Sequence, residues 1–140
     1  MSDLDSLARE ILREHGTFKQ ACKDSHLAAR DTVWQLYSNW RDSEQGKQWK
    51  ASFLKECGYH CPECNIWLTE YNSTIDHKLP RRKYPWLGWD VSNLWVLCKS
   101  CNKAKSDKNW SEYIKAVRLY RGEAAYKRIS KYPPSCKKFS

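Results

Sequence analysis

The sequence predicts a small α+β fold in which helical regions flank a compact central core, and three observations lead to this prediction. Apolar residues recur at helical spacing near both ends of the chain. Two stretches in the middle, Ser73 to Leu79 and Leu94 to Leu97, are rich in residues that favour β-strands. Two Cys-x2-Cys pairs border the same middle region. Since 140 residues bury only a modest core, we expect these cysteines to cross-link the middle region, through disulfides or a metal ion.

The N-terminal region, residues 1–57, is predicted to be helical. Its first apolar stripe consists of Leu4, Leu7, Ala8, Ile11 and Leu12, and Gly16 is expected to end this helix. The pattern then predicts a short helix, a turn near Asp24 to Leu27 and a longer helix. This order loosely resembles a helix-turn-helix, with Arg30, Thr32 and Gln35 free to face a groove. It lacks the usual turn glycine, so plain helical packing is the favoured interpretation. A further helix is expected over about 47–57.

The C-terminal region, residues 108–140, is predicted to be a basic helical tail, with nine Lys/Arg and two Asp/Glu of a chain whose net charge is +9. Asn109 followed by Glu112 indicates a capping box. The helix that follows has an apolar stripe of Tyr113, Ala116, Val117 and Tyr120. Gly122 separates it from a second helix, 123–131. Such a tail suits a polyanion such as nucleic acid, and the alternative is a merely solvated basic surface.

The cysteines indicate a metal site rather than disulfides. The first residues do not form a basic run followed by an apolar stretch, and no window is apolar enough for a membrane span. We therefore expect a reducing cytoplasmic setting without membrane contact, where Cys-x2-Cys pairs favour metal. Four thiolates form a closed tetrahedral zinc site, which is structural because no ligand position stays open. The expected ligands are Cys61, Cys64, Cys98 and Cys101.

Other cysteines and one histidine lie outside this spacing. Cys57 and His60 could replace one ligand, but neither has the spacing of a Cys-x2-Cys pair. Cys22 and Cys136 have no local partner and are interpreted as free thiols.

A set of polar residues lies between and just after the two cysteine pairs. In order they are Asp76-His77-x-x-Pro80, Asn93-Leu94, and Leu97-Cys98-x2-Cys101-Asn102 with Lys105 following. This order resembles the zinc-bound HNH endonucleases over about residues 57–107, and Asn102 makes it similar to the Asp-His-Asn-Asn subtype. The Cys-x2-Cys-Asn ending also resembles phage endonuclease VII. The flanking helices do not match that relative, so junction specificity is not implied.

The resemblance implies a ββα-metal (His-Me finger) nuclease core at residues 58–107, and the residue types suit its chemistry. Asp76 and Asn102 supply oxygen ligands of the kind that Mg²⁺ accepts, and Mn²⁺ or another divalent cation could replace it. His77, neutral near pH 7, would take the proton from the attacking water. Because adjacent side chains on a strand point to opposite faces, a bend or a metal at the strand's rim is required. The resemblance adds that Asn93 braces the loop and that 5′-phosphate and 3′-hydroxyl ends are formed.

The predicted function is therefore a metal-dependent DNA endonuclease that needs no organic cofactor. One active site per chain makes nicking by a monomer natural. DNA contacts are expected from Arg81, Arg82, Lys105, Lys115, Arg118 and Arg121, although such residues are usually just solvated. Trp86 and Trp89 are expected to pack under the connecting loop. The alternative function is a non-catalytic zinc-ribbon module that binds nucleic acid. A protein-interaction zinc domain of the RING kind is disfavoured because a second set of four ligands is missing.

Overall fold

Helices occupy both ends of the chain and a pair of strands lies between them. The computed structural model describes residues 3–88 and 90–134. Within them lie the helices α1 (Asp3–Asp42), α2 (Glu44–Glu56), α3 (Lys99–Lys105), α4 (Trp110–Arg121) and α5 (Glu123–Ile129), and the strands β1 (Ser73–His77) and β2 (Leu94–Cys98). None of these helices is both long and apolar enough to cross a membrane. One compact unit ends at Thr32 and a second begins at Val33.

Helix α1 is continuous where the sequence predicts a helix end at Gly16 and a turn at 24–27. Both of those predictions are wrong, and so is the helix-turn-helix that depended on them. A glycine inside a helix costs only about 1 kcal/mol relative to alanine, and the segment contains no proline to stop the helix. A bond from the side chain of Gln20 to Asp24, one turn apart at 3.0 Å, bridges the start of the expected turn.

The start of α2 fits closely against the end of α1. The hydroxyl of Ser43 caps α2 by accepting a hydrogen bond from the backbone N–H of Gly46 at 3.2 Å. A Cβ atom at Gly46 would collide with the carbonyl oxygen of Trp40 and with the backbone of Arg41. The close approach of the two backbones therefore requires glycine at this position.

Strands β1 and β2 form an antiparallel pair in which Ser73 lies opposite Cys98 and His77 lies opposite Leu94. Both strands fall where the sequence predicts them. Helix α3 follows β2 directly, with Cys98 as its N-cap. The order β1, β2, α3 gives a strand-strand-helix element, and the small α+β fold is confirmed.

The core joins β2 to α2, which precedes the strands in sequence, and to α4 and α5, which follow them. All five residues of β2 are buried. The same hydrophobic cluster includes Phe53 and Leu54 from α2, Trp110, Tyr113 and Val117 from α4, and Ala125 and Ile129 from α5. Asn109 caps α4 by accepting the N–H of Glu112 at 3.1 Å. The basic tail is thus part of the packed core in addition to being charged.

Two aromatic residues differ from expectation. Tyr120, expected in the apolar stripe of α4, is 83% exposed because the core ends at Val117 and the last turn of α4 extends beyond it. Trp86 is 54% exposed, since a 3-10 turn at Pro85–Leu87 directs Pro85 and Leu87 inward instead. Trp89 lies outside the described residues, as does Cys136.

Candidate active site and metal centre

Four cysteine sulfurs from two parts of the chain form a cluster. Cys61 and Cys64 lie in the turn after α2, Cys98 ends β2 and Cys101 lies on α3. Their Sγ atoms all lie within 4.8 Å of one another, and those of Cys64 and Cys98 are 3.7 Å apart. Tetrahedral zinc with Zn–S bonds of about 2.3 Å separates its sulfurs by about 3.8 Å. The cluster can therefore hold such a metal ion.

Donors surround the sulfur atoms. The backbone N–H of Cys101 points to the Sγ of Cys98 at 3.4 Å, and that of Cys98 points to the Sγ of Cys61 at 3.5 Å. The guanidinium of Arg121 lies 3.7 Å from the Sγ of Cys101. Cys61 and Cys101 also share a hydrogen bond between their side chains. This bond lowers the pKa of Cys61 to about 5 and raises the pKa of Cys101. The backbone N–H groups of Cys98 and Cys101 and the guanidinium of Arg121 stabilise negative charge on the sulfurs that they contact, and the thiolate is the form that binds metal.

The alternative ligands named from the sequence are engaged elsewhere. The thiol of Cys57 donates to the carbonyl of Leu54 at 3.4 Å, and Nδ1 of His60 bonds with the carbonyl oxygen of Asn65 at 3.0 Å. Both residues lie outside the four-cysteine cluster, as their spacing in the sequence predicts.

Glu63, inside the first cysteine pair, links that pair to the tail. It is 5% exposed, and its two carboxylate oxygens accept the hydroxyl of Tyr113 at 2.7 Å and the guanidinium of Arg121 at 2.6 Å. Arg128 donates to the backbone carbonyl of Glu63 at 2.9 Å. Arg121, expected to contact DNA, thus bonds to the cysteine turn. The sequence does contain a signal for this contact, since Glu63 is an acidic residue between two cysteines of a chain whose tail is basic.

Asp76 accepts hydrogen bonds from three side chains. Its Oδ1 accepts the amide N–H of Asn102 at 2.8 Å. Its Oδ2 accepts the indole N–H of Trp95 at 2.7 Å and lies 3.1 Å from the ammonium of Lys105. Trp95 is the cross-strand partner of Asp76, so the register of the sheet explains this contact. The structure brings Asp76 and Asn102 together, and rotation of the amide by half a turn presents its oxygen at the same position.

His77 is the last residue of β1 and lies in different surroundings from Asp76, as strand alternation requires. Its Nε2 donates to the carbonyl oxygen of Gly88 at 2.9 Å. Because a carbonyl oxygen can only accept, the neutral ring keeps its lone pair on Nδ1. The ring contacts Tyr37 edge-on, with centroids 4.6 Å apart. Burial lowers the pKa of His77 below its usual range, so the ring is neutral at pH 7 and can accept a proton.

Asn93 holds the segment between the strands. Its Oδ1 accepts the N–H of Leu79 at 2.9 Å, and its Nδ2 donates to the carbonyl oxygens of Leu79 at 2.9 Å and Leu87 at 3.5 Å. One side chain therefore ties both ends of residues 79–87. Since Gly88 follows at once, Asn93 fixes the carbonyl that orients His77.

The remaining residues expected to contact DNA fall into two groups. Arg81, Arg82, Lys115 and Arg118 are exposed. Arg81 stacks on the ring of Trp34 at 3.5 Å, and Arg118 pairs with Glu123. The side chain of Lys105 is 0% exposed, because its ammonium is enclosed beside Asp76. Lys105 therefore does not lie on the surface, where a phosphate contact was expected.

Sequence reasoning missed three groups around the pair of motif residues. Trp95 could have been found by aligning the strands, since it pairs with Asp76. Tyr37 and the carbonyl of Gly88 come from segments distant in sequence, and no local pattern indicates that they contact His77.

Comparison with known proteins agrees with the position of this site. Residues 55–108 match the family model described as HNH endonuclease. No curated protein matches the chain. Among solved structures, the chain is similar to the Type II-C Cas9 enzyme from Actinomyces naeslundii at 16% sequence identity and a TM-score of 0.45. The match covers 92% of this chain and 13% of that one, so the chain spans a small part of that protein's length.

Proposed function

We propose that this chain is a metal-dependent endonuclease, because residues 55–108 match the family model described as HNH endonuclease. It hydrolyses DNA phosphodiester bonds to 5′-phosphate and 3′-hydroxyl ends. The observation that supports this most is the contact of Asp76 with Asn102 at 2.8 Å, next to a neutral His77 whose Nδ1 lone pair is kept free by the bond to Gly88. In this proposal the four-cysteine cluster holds a structural zinc ion, and a reducing compartment such as the cytoplasm keeps its thiolates intact.

Each residue of the site has a distinct role in the proposed reaction. Nδ1 of His77 takes the proton from the attacking water, while the carbonyl of Gly88 holds the ring in the required tautomer. Asp76 and Asn102 would hold Mg²⁺ or Mn²⁺, both being oxygen ligands that suit a hard cation. When bound, that cation neutralises charge at the phosphorus and at the leaving 3′ oxygen. Asn93 keeps the loop that orients His77 in place.

DNA is the proposed substrate, and the exposed cations suit it. Arg81 and Arg82 follow the motif histidine by a few residues, and Lys115 and Arg118 are exposed on α4. Arginines and lysines of this kind mostly contact phosphates, which carry no sequence information, so we expect binding that depends weakly on sequence. With one site per chain, a monomer nicks one strand.

One observation favours a second candidate, a zinc module that binds nucleic acid without cleaving it. The carboxylate of Asp76 already has three donors, and both Asp76 and His77 are at most 9% exposed. In such a module these residues would only stabilise the fold.

Cleavage of supercoiled plasmid distinguishes the two functions. Zinc-loaded protein is incubated with and without Mg²⁺ or Mn²⁺, since a chelator would also remove zinc. The His77→Ala variant should lose activity by about 10² or more, with unchanged DNA affinity. His60→Ala is the matched control, because His60 is exposed and lies outside the motif. Open-circle product indicates nicking. Equal turnover by His77→Ala and wild type would remove His77 from the mechanism.

A further inference from the structure

Lys105 is enclosed between the two consecutive motif residues. Its ammonium donates to the backbone carbonyl of His77 at 2.8 Å and lies 3.1 Å from Oδ2 of Asp76. Its side chain is 0% exposed and lies near the ring of Tyr113, with Nζ 5.5 Å from the centroid. A buried ammonium needs such partners, because leaving a charge unpaired away from water is costly.

This placement changes the charge that a metal ion would meet. Asp76 carries one negative charge, which the ammonium of Lys105 balances, and Asn102 is uncharged. The charged groups facing His77 are Asp76, Arg81 and Lys105. Magnesium keeps several waters and usually binds to one or two carboxylates together with phosphates of the substrate. One carboxylate already paired with a lysine is a poor site for a divalent cation without such a phosphate.

We propose that Lys105 is a positioning residue that balances the charge of Asp76 in the DNA-free protein, so that the divalent cation binds tightly only together with a phosphate of the substrate. The proposal rests on the proposed nuclease function. The proposal couples the binding of two ligands, the divalent cation and DNA. The phosphate of the DNA brings a negative charge to the site, which replaces the charge of Asp76 that Lys105 balances. By reciprocity, the cation strengthens DNA binding by the same factor.

The inference requires Lys105 to act through its charge and not only through packing. Lys105→Met keeps most of the length and apolar stem of the side chain and removes the charge. Lys105→Arg keeps the charge. A purely structural role would make both variants bind metal equally or less tightly than wild type, because both disturb the packing.

Metal affinity is measured with zinc-loaded protein by following free Mn²⁺ in electron paramagnetic resonance during titration, without DNA. Removing a unit charge beside the site should tighten Mn²⁺ binding by about tenfold or more, even at the dielectric constant of water. Lys105→Met should show this gain, and Lys105→Arg should stay near wild type. Zinc content and melting temperature verify folding. A folded Lys105→Met protein with unchanged or weaker Mn²⁺ binding overturns the proposal.

A second measurement does not depend on any change at Lys105. In the His77→Ala background, which should not cleave, Mn²⁺ is titrated with and without a short DNA duplex. After subtraction of the Mn²⁺ bound by the duplex alone, the duplex should tighten Mn²⁺ binding to the protein by about tenfold or more, since its phosphate restores a unit negative charge beside the site, and equal affinity overturns the proposal. If the wild-type protein cleaves DNA with Mn²⁺ while this coupling is absent, the inference about Lys105 fails and the nuclease function stands. If no cleavage occurs with Mn²⁺ or Mg²⁺, the nuclease function itself fails.

Discussion

Asp76 and His77 are consecutive residues, yet their side chains are held by different parts of the chain. The carboxylate is held by β2 and α3, through Trp95 and Asn102. The imidazole is held by the loop that precedes β2, through the carbonyl of Gly88. In the proposed mechanism, a change in one set of partners would therefore alter proton transfer without altering metal binding, or the reverse.

Tyr37, which packs against His77, should make stability depend on pH in alkaline solution. Burial raises the pKa of Tyr37 from 10.0 to about 12, so the folded state favours the neutral phenol. This stabilisation is complete below pH 10 and is lost as the pH rises toward 12. From pH 9 to pH 11, Tyr37→Phe should lose about 1 kcal/mol less stability than wild type.

Urea unfolding at the two pH values measures this difference. Tyr120→Phe is the control, because Tyr120 is 83% exposed and its replacement should leave the pH dependence unchanged. An identical loss in wild type and Tyr37→Phe would contradict the burial argument.

The sequence predicts the two strands and the capped helix α4 better than it predicts α1. Both strands and the Asn109 cap lie where local residue preferences indicate. The break at Gly16 does not form, because the penalty of one glycine is smaller than the gain from a continuous helix. The sequence likewise predicts that Asp76 and Asn102 lie together, and they are in contact. The enclosure of Lys105 is not predicted, because it depends on how α3 packs against β1.

Gly46→Ala tests the junction of α1 and α2. On helix preference alone, alanine would stabilise α2 by about 1 kcal/mol. The added Cβ would instead collide with the carbonyl oxygen of Trp40, so we expect destabilisation of about 1–3 kcal/mol. Lys47→Ala, at the next and exposed position, should be nearly neutral. Thermal or urea unfolding measures both, and a stabilised Gly46→Ala protein would show that the helices do not meet this closely.

The cysteine cluster should determine whether the core as a whole folds. It joins the turn after α2 to the end of β2 and to α3. Cys98→Ser is expected to lose the metal and become unfolded or molten. Cys57→Ser, outside the cluster, should keep about one zinc ion per chain. Metal analysis with circular dichroism checks both, and full zinc content with unchanged melting in Cys98→Ser would exclude the four-cysteine site.

The exposed cations of the tail provide a test of the DNA-binding surface. Arg121 is unsuitable, because replacing it would disturb Glu63 and the cysteine turn. Changing Lys115, Lys127 and Lys131 to Glu spares those contacts, since all three are exposed. Each lost phosphate contact should flatten the slope of log affinity against log salt by about 0.9, or about 2.7 for three contacts. An unchanged slope in the stable triple variant would place the DNA elsewhere, near Arg81 and Arg82.

The spacing of the cysteine pairs also determines when the cluster can assemble during synthesis. Cys64 and Cys98 are separated by 33 residues, so the first pair leaves the ribosome well before the second. At roughly 5–20 residues per second, the first pair waits about 2–7 seconds for its partners during synthesis. During that interval two thiols are open to oxidants and to competing thiophilic metals. If the cluster holds zinc as proposed, zinc supply and redox state at the moment of translation would set the yield of folded protein, even though three of the four cysteines are buried in the finished cluster.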